Sequence, residues 1–314
     1  MLFRSLEKFP LFAEAAYSMG LVKNREKILN EAVQYFKKAL EINPYHEKAR
    51  KALDNVTKKS FNDGNRAYKR GDLDGALESY YKVLEFDEKF YQAHYQIGVI
   101  KAKMGDRNGA IGHYQQALDI NPNFYKGWYA MGLSKKANSD NEGALAAFKA
   151  AVDVHPAYDK AFGAMGEIYL SEKKYDQAIE VLNTAVQVNS KYSKGYSTLG
   201  VIYSEMEEWA NAANNLVLAT THNEKDAMAW YRLAVAYNQL DECDRAEKAA
   251  RNSTDRKPSF GGGWIELGVA TWCGGKGNKV ASVNALEKAR KDRTWRKIAE
   301  YEMDKIMNPQ KYQN

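Results

Sequence analysis

Between Tyr91 and Tyr158 the apolar pattern is written twice. YQAHYQIGVIKAKMGDRNGAIGHYQQALDINPNF is followed by YKGWYAMGLSKKANSDNEGALAAFKAAVDVHPAY. Gly98 recurs as Gly132, Ala110 as Ala144, Tyr114 as Phe148, Ala117 as Ala151 and Pro122 as Pro156, each pair 34 residues apart. Apolar residues at helical spacing on both sides of a polar turn predict two antiparallel helices per copy, and so an all-α chain. The small residues let neighbouring helix backbones approach, and the proline, which cannot continue a helix, sets the length of the copy.

The same register extends in both directions. Units are expected near 13–46, 57–90, 91–124, 125–158, 159–192, 193–226, 227–260 and 261–293, forming one array over 13–293. Residues 47–56 are ten more than the period allows and contain no helix breaker. They are read as extending the first helix of the second unit, from about Glu47 to Arg70, so that it protrudes past its neighbours. The last unit degrades at Cys273-Gly274-Gly275-Lys276-Gly277. Residues 294–314 are read as a capping helix and tail, with Trp295, Ile298, Ala299, Met303 and Ile306 on one side. An array needs such a cover over its last apolar face. Residues 1–12 (Leu2, Phe3, Leu6, Phe9 and Phe12 at roughly helical spacing) are read as a cap, with self-association ranked above membrane anchoring as the alternative.

Composition adds a charge gradient. The net charge of +6 divides into +5 over residues 1–60, −6 over 61–244 and +7 over 245–314. Basic ends around an acidic middle favour end-to-middle association or contact with an anionic surface. Lys288, Arg290, Lys291, Arg293, Arg296 and Lys297 are the candidates for that contact. The acidic middle argues against tracking along a nucleic acid, so none is expected as partner. Cys243 and Cys273 are the only cysteines, and free thiols in a reducing compartment are the expectation. They fall at the start of one unit's second helix and the end of the next unit's first helix, places that can be neighbours in an antiparallel stack.

No run of 18 apolar residues exists, and the N-terminus makes a poor secretory signal. A cytoplasmic location is the default, with membrane contact at most peripheral. The five histidines are scattered, with none three or four residues from another, so a zinc site or catalytic histidine pairing is not supported. The glycine-rich run lacks the spacing of a phosphate loop. No cofactor and no enzymatic activity are expected.

With its glycine, alanine, ring and proline positions at period 34, the chain resembles the tetratricopeptide-repeat proteins over about 280 residues. The resemblance implies a right-handed superhelical solenoid of about eight antiparallel helix pairs plus the C-terminal capping helix. It also implies a concave face lined by the first helix of each pair, which receives a peptide or helix from a partner. The carboxylate clamp of the family's chaperone-tail receptors is not reproduced: only Asn65 and Lys126 match, and Phe61, Gln96 and Ala130 occupy the other places.

One inner row reads Phe61, Tyr95, Tyr129, Gly163, Ser197, Tyr231, Ile265, and the next Asn65, Val99, Leu133, Glu167, Val201, Val235, Val269. Lys126, Lys160 and Lys194 lie near helix starts. The expected partner-binding set is therefore Phe61, Asn65, Tyr95, Val99, Lys126, Tyr129, Leu133, Lys160, Lys194 and Tyr231. It describes an apolar floor with a lysine rim, suited to an amphipathic helix or peptide with acidic flanks. The leading reading is a non-enzymatic scaffold. The alternatives are a homo-oligomer built through residues 1–12 or the 47–70 helix, and a non-catalytic assembly or regulatory subunit of a larger complex.

Overall fold

Helix starts recur with the sequence period. In the computed structural model, which describes residues 12–312, first helices begin at 91, 125, 159, 193, 227 and 261, and second helices at 73, 107, 141, 175, 209 and 243. Among the described residues all regular structure is helical.

The chain divides into two units, one ending at Val154 and the other beginning at His155. The first unit holds α1 (Ala13–Arg25), α2 (Leu29–Ile42), α3 (Glu47–Lys69), α4 (Leu73–Phe86), α5 (Tyr91–Lys103), α6 (Arg107–Ile120), α7 (Tyr125–Ala137) and α8 (Asn141–Val154). The second holds α9 (Asp159–Ser171), α10 (Tyr175–Val188), α11 (Ser193–Glu205), α12 (Trp209–His222), α13 (Ala227–Gln239), α14 (Cys243–Arg256), α15 (Gly261–Trp272), α16 (Lys279–Ala289) and α17 (Arg296–Met307).

Each pair turns through one residue of positive φ, again at period 34: Gly71, Gly105, Ser139, Lys173, Glu207 and Asp241. The next amide reaches back five residues to the first helix, as Asp106 N–H does to the Lys101 carbonyl at 2.9 Å. This satisfies a carbonyl that the helix end leaves orphaned. Across each pair a glycine on the first helix faces a bulky side chain on the second. A Cβ added at Gly98 would stand 2.6 Å from the Tyr114 ring, so only glycine allows this approach. The fillers are Phe36, Tyr80, Tyr114 and Phe148 in the first unit, and Leu182 and Leu216 in the second, all buried. At the next pair the equivalent residues are Ala234 and Ala250, also buried, and at the last the pattern returns with Leu286 against Gly268.

Three expectations change. The ten extra residues do lengthen α3, but they do not protrude bare. Ala49 is buried in one cluster with Ala16 and Ala39, and Ala52, Leu53 and Val56 pack with Ala32, Val33 and Phe36. A helix that carries an apolar stripe along its whole length finds a partner for all of it. On α17, Ala299 and Ile306 pack with Ile265, Leu286 and Ala289, and Trp295 and Met303 join them, but Ile298 is 46% exposed. Finally, the cysteines are not free thiols. Cys243 and Cys273 form a disulfide with Cα atoms 5.7 Å apart, because the turn end of α14 lies beside that of α15. The expected roles of residues 1–11 lie outside the described residues. Among those described, no helix is long and apolar enough to cross a membrane.

Candidate functional site

In the first unit the inner-row rings are engaged in packing. Phe61 lies 5.4 Å from Tyr80 and 5.2 Å from Phe90, centroid to centroid. Tyr95 lies 5.8 Å from Tyr114 and 4.9 Å from Phe124, the latter edge-on at 87°. Tyr129 sits 5.6 Å from Phe148. Burial raises the Tyr95 phenol above its ordinary pKa. Asn65 accepts a hydrogen bond from Tyr80 Oη at 2.7 Å, and Val99 packs in the cluster that holds Tyr95. Of the residues selected here from sequence, Lys126 and Leu133 are exposed, with Lys126 Nζ 5.8 Å from the Tyr125 ring centroid.

The geometry of these rings has a rule. A ring just before each first helix (Phe90, Phe124) covers the inner-row residue of the helix preceding it (Phe61, Tyr95). The second unit follows it at Tyr231, 5.1 Å from Phe260 and 5.8 Å from Trp295, with burial pushing the Tyr231 phenol up to about 12. It follows it in altered form at Gly163: the Tyr192 hydroxyl reaches so close that an added Cβ would collide with it. At one place both members are missing. The inner-row residue is Ser197, and the position that should carry its covering ring is Asp226.

A cleft of about 790 Å³ opens there across α9, α11 and α13, lined by residues including Glu167, Tyr192, Lys194, Ser197, Asp226 and Arg232. It adjoins a hollow of about 220 Å³ lined by Tyr231 and Val235, with which it shares Val201 and Arg232. Pockets of this size are in the range that holds ligands and short peptide segments. Lys194 is ion-paired to Glu167. Asp226 caps α13, accepting from the amides of Met228 and Ala229 at 3.0 and 3.1 Å. Arg232 Nη1 reaches to 3.3 Å from Ser197 Oγ and makes no ion pair among the described residues. Charged and polar side chains thus share the cleft with the apolar surface of Leu170, Tyr192 and Val201. Of the selected residues only Lys194 lines the larger cleft and Tyr231 the adjoining hollow; Lys160 is exposed at the start of α9. Asp226, Tyr192 and Arg232 were missed. The signal that could have found them is the ring series 90, 124, 158, 192 and 260, broken by an acid at 226.

Elsewhere, Lys288 lies over the Trp264 ring at 4.2 Å, Arg290 pairs with Glu287 at 2.9 Å, and Arg296 Nε donates to the Arg290 carbonyl at 3.2 Å. Lys291, Arg293 and Lys297 are exposed. The hollow of about 390 Å³ formed by Arg290, Lys291 and Arg296 also takes in Glu287 and Glu300, so its charge is mixed. His94 and His113, 19 residues apart in sequence, meet across α5 and α6 with Nδ1 atoms 3.4 Å apart. Burial pushes His113 down to about 4. No group of three or more metal-ligating side chains forms among the described residues. Glu266 on α15 accepts from Asn238 Nδ2 at 2.7 Å, and burial, with Glu302 nearby, pushes its carboxyl up to about 7.

Family profiles described as tetratricopeptide repeat match residues 13–46 and 91–124, and one described as TPR repeat matches 64–105. A profile of the C-terminal ARM domain of tetratricopeptide repeat protein 21 matches 133–251. The chain belongs to the tetratricopeptide-repeat family. Among curated relatives, DnaJ homolog subfamily C member 7 of Mus musculus and of Homo sapiens are each 40% identical over 77 residues. That match takes in 24% of this chain and 16% of the relative's length. Solved tetratricopeptide structures share the fold. The C-terminal part of a TPR repeat-containing protein from Cytophaga hutchinsonii aligns with TM-score 0.62 at 14% identity, over 76% of this chain and 97% of that one. Cut9-Hcn1, described as an APC/C hetero-tetramer, aligns with TM-score 0.56 at 15% identity, over 94% and 55%. YrrB, described as a TPR protein with an unusual peptide-binding site, aligns with TM-score 0.52 at 17% identity, over 60% and 96%.

Proposed function

We propose that this chain is an adaptor that holds a peptide segment of a protein partner in the cleft over α9, α11 and α13. The repeat fold supports a protein-interaction scaffold in general, and the missing ring pair at Ser197 and Asp226 supports this cleft in particular. The inner rings of the first unit engage their own covering rings, which leaves them less surface to offer. Peptide binding by YrrB is a property of that protein, and a likeness at 17% identity supports only the fold.

The test refills the vacancy with the residues the array uses elsewhere. Ser197→Tyr combined with Asp226→Phe should abolish capture of partners by the full chain, while Tyr95→Ala should leave capture in place. Equal capture by both variants would sink the reading. Because disulfides persist in oxidising surroundings, the Cys243–Cys273 bridge favours work outside a reducing compartment, in place of the cytoplasmic default. Thiol alkylation of the chain isolated from its native source checks this: unlabelled cysteines are expected.

A further inference from the structure

We infer that the segment received by the cleft carries an aromatic residue next to a carboxylate, the ring completing the array's interrupted series of inner rings. This rests on the cleft reading above and deepens it.

Three observations carry the inference. First, the vacancy has the place of a ring. In three repeats the inner-row residue and the residue before the next first helix form a contacting pair: Phe61 with Phe90 at 5.2 Å, Tyr95 with Phe124 at 4.9 Å, Tyr231 with Phe260 at 5.1 Å. The last two are edge-on at 87° and 89°, the arrangement that the ring quadrupole favours. At Gly163 only one member is a ring, and Tyr192 swings into the space alone. At Ser197 and Asp226 neither is, and the arm of Arg232 reaches across the cleft to the Ser197 hydroxyl.

Second, the walls suit a ring. Tyr192, Leu170 and Val201 supply apolar surface to the cleft, and the Arg232 guanidinium offers a cationic face. Arginine over an aromatic face contributes about 0.5–2 kcal/mol, more as water is excluded.

Third, the charges in the cleft leave one group uncommitted. Lys194 is held by Glu167, and Asp226 is turned to the α13 amides. Arg232 has only the Ser197 hydroxyl, at 3.3 Å. A guanidinium can stack with its face and donate from its edge at the same time, so a carboxylate beside the incoming ring completes its bonding.

The experiment is a random dodecapeptide display library panned on the disulfide-intact full chain, with S197Y/D226F as counter-target. Winning peptides are then titrated by fluorescence polarisation against wild type, S197Y/D226F, R232Q and R232K. Phenylalanine or tyrosine at position 226 suits the fold, since Phe90, Phe124 and Phe260 precede their helices without any side-chain cap bond. R232Q serves as the second variant should the double substitution fail to fold.

The expected result is a set of peptides sharing a ring at one fixed place with Asp or Glu within two residues. They should lose binding to S197Y/D226F and weaken roughly tenfold with R232Q, the loss of one charge-assisted hydrogen bond, with partial recovery in R232K. Cleft-dependent peptides without a ring, or ones indifferent to R232Q, would overturn the inference and leave the cleft reading intact. Peptides held equally by the refilled variant, or no selected peptide at all, would overturn both.

Discussion

The two units use one architecture with different degrees of completion. In the first, each second helix from α4 onward starts with an aspartate that accepts the amide three residues on: Asp72 from Gly75, Asp106 from Gly109, Asp140 from Gly143, each at 2.9 Å. In the second, the equivalent residues Lys174, Glu208 and Glu242 make no such bond. Rings fill the glycine notches of the first unit; Leu182, Leu216, Ala250 and Leu286 fill the equivalent places in the second. Two of the first unit's turns use glycine at positive φ, whereas Lys173, Glu207 and Asp241 take that conformation with side chains. The unit with the weaker local signals is the one that carries the cleft and the disulfide. Local consistency is relaxed where a surface is left open.

The largest expected difference is in the notches. Phe148→Ala should destabilise the first unit by about 3–5 kcal/mol and Leu216→Ala the second by about 2–5 kcal/mol, because each empties a fully enclosed site. Amide hydrogen exchange resolved by unit checks whether each loss stays in its own unit; equal losses in both would break the comparison.

Next is the disulfide. It closes a loop of sequence separation 30, and its removal in C243S/C273S should cost the second unit about 3–4 kcal/mol. Reduction of the wild type should reproduce that shift in the same measurement.

A smaller effect separates the units by pH. Asp106 is lowered by its Lys101 hydrogen bond and then by the Gly109 amide, and Asp140 by the Gly143 amide and then by Lys135. Their contribution to the first unit is present above the ordinary value of 3.8 and is lost as pH falls through the lower folded value. Glu266 runs the other way. Its folded pKa of about 7 stands above the ordinary 4.5, so the second unit is favoured below 4.5 and loses stability as pH rises toward 7. Glu266→Gln should flatten that slope, worth about 3 kcal/mol over the whole shift. A second unit whose melting is level between pH 5 and 7 before the substitution would contradict this.

Smallest is the turn. Glu207→Gly removes a side chain from a left-handed residue and should stabilise the second unit by about 0.5–1 kcal/mol, whereas Gly105→Glu should destabilise the first by a similar amount. Chemical denaturation of each variant checks the opposite signs.

The register of the array was legible because period 34 is carried by residues with steric duties: Gly98 and Gly132 admit rings, and Pro122 and Pro156 stop helices. The cleft was less legible. Inner-row positions can be read from helical spacing, and Ser197 and Tyr231 were placed in that row. What covers an inner-row residue comes from the residue before the next first helix, 29 positions later, as Phe124 covers Tyr95. Helical periodicity within one segment carries no information on that contact. The disulfide escaped for a related reason. Adjacency of Cys243 and Cys273 followed from the stack, but whether two neighbouring thiols join depends on where the second cap turns, and Cys273 does so at φ +43.

The length of α3 has a further consequence. A repeat array behaves thermodynamically as a chain of coupled links, and terminal links are ordinarily the first to fray. Here 23 residues of unbroken helix belong to two links at once, packing Ala49 on α1 and α2 near one end and Gly64 against Tyr80 of α4 toward the other. Opening the first link alone would require melting part of a helix that the second link holds. The amino-terminal pairs should therefore open as one cooperative block, with the weakest joint in that region displaced inward to the boundary beyond α4.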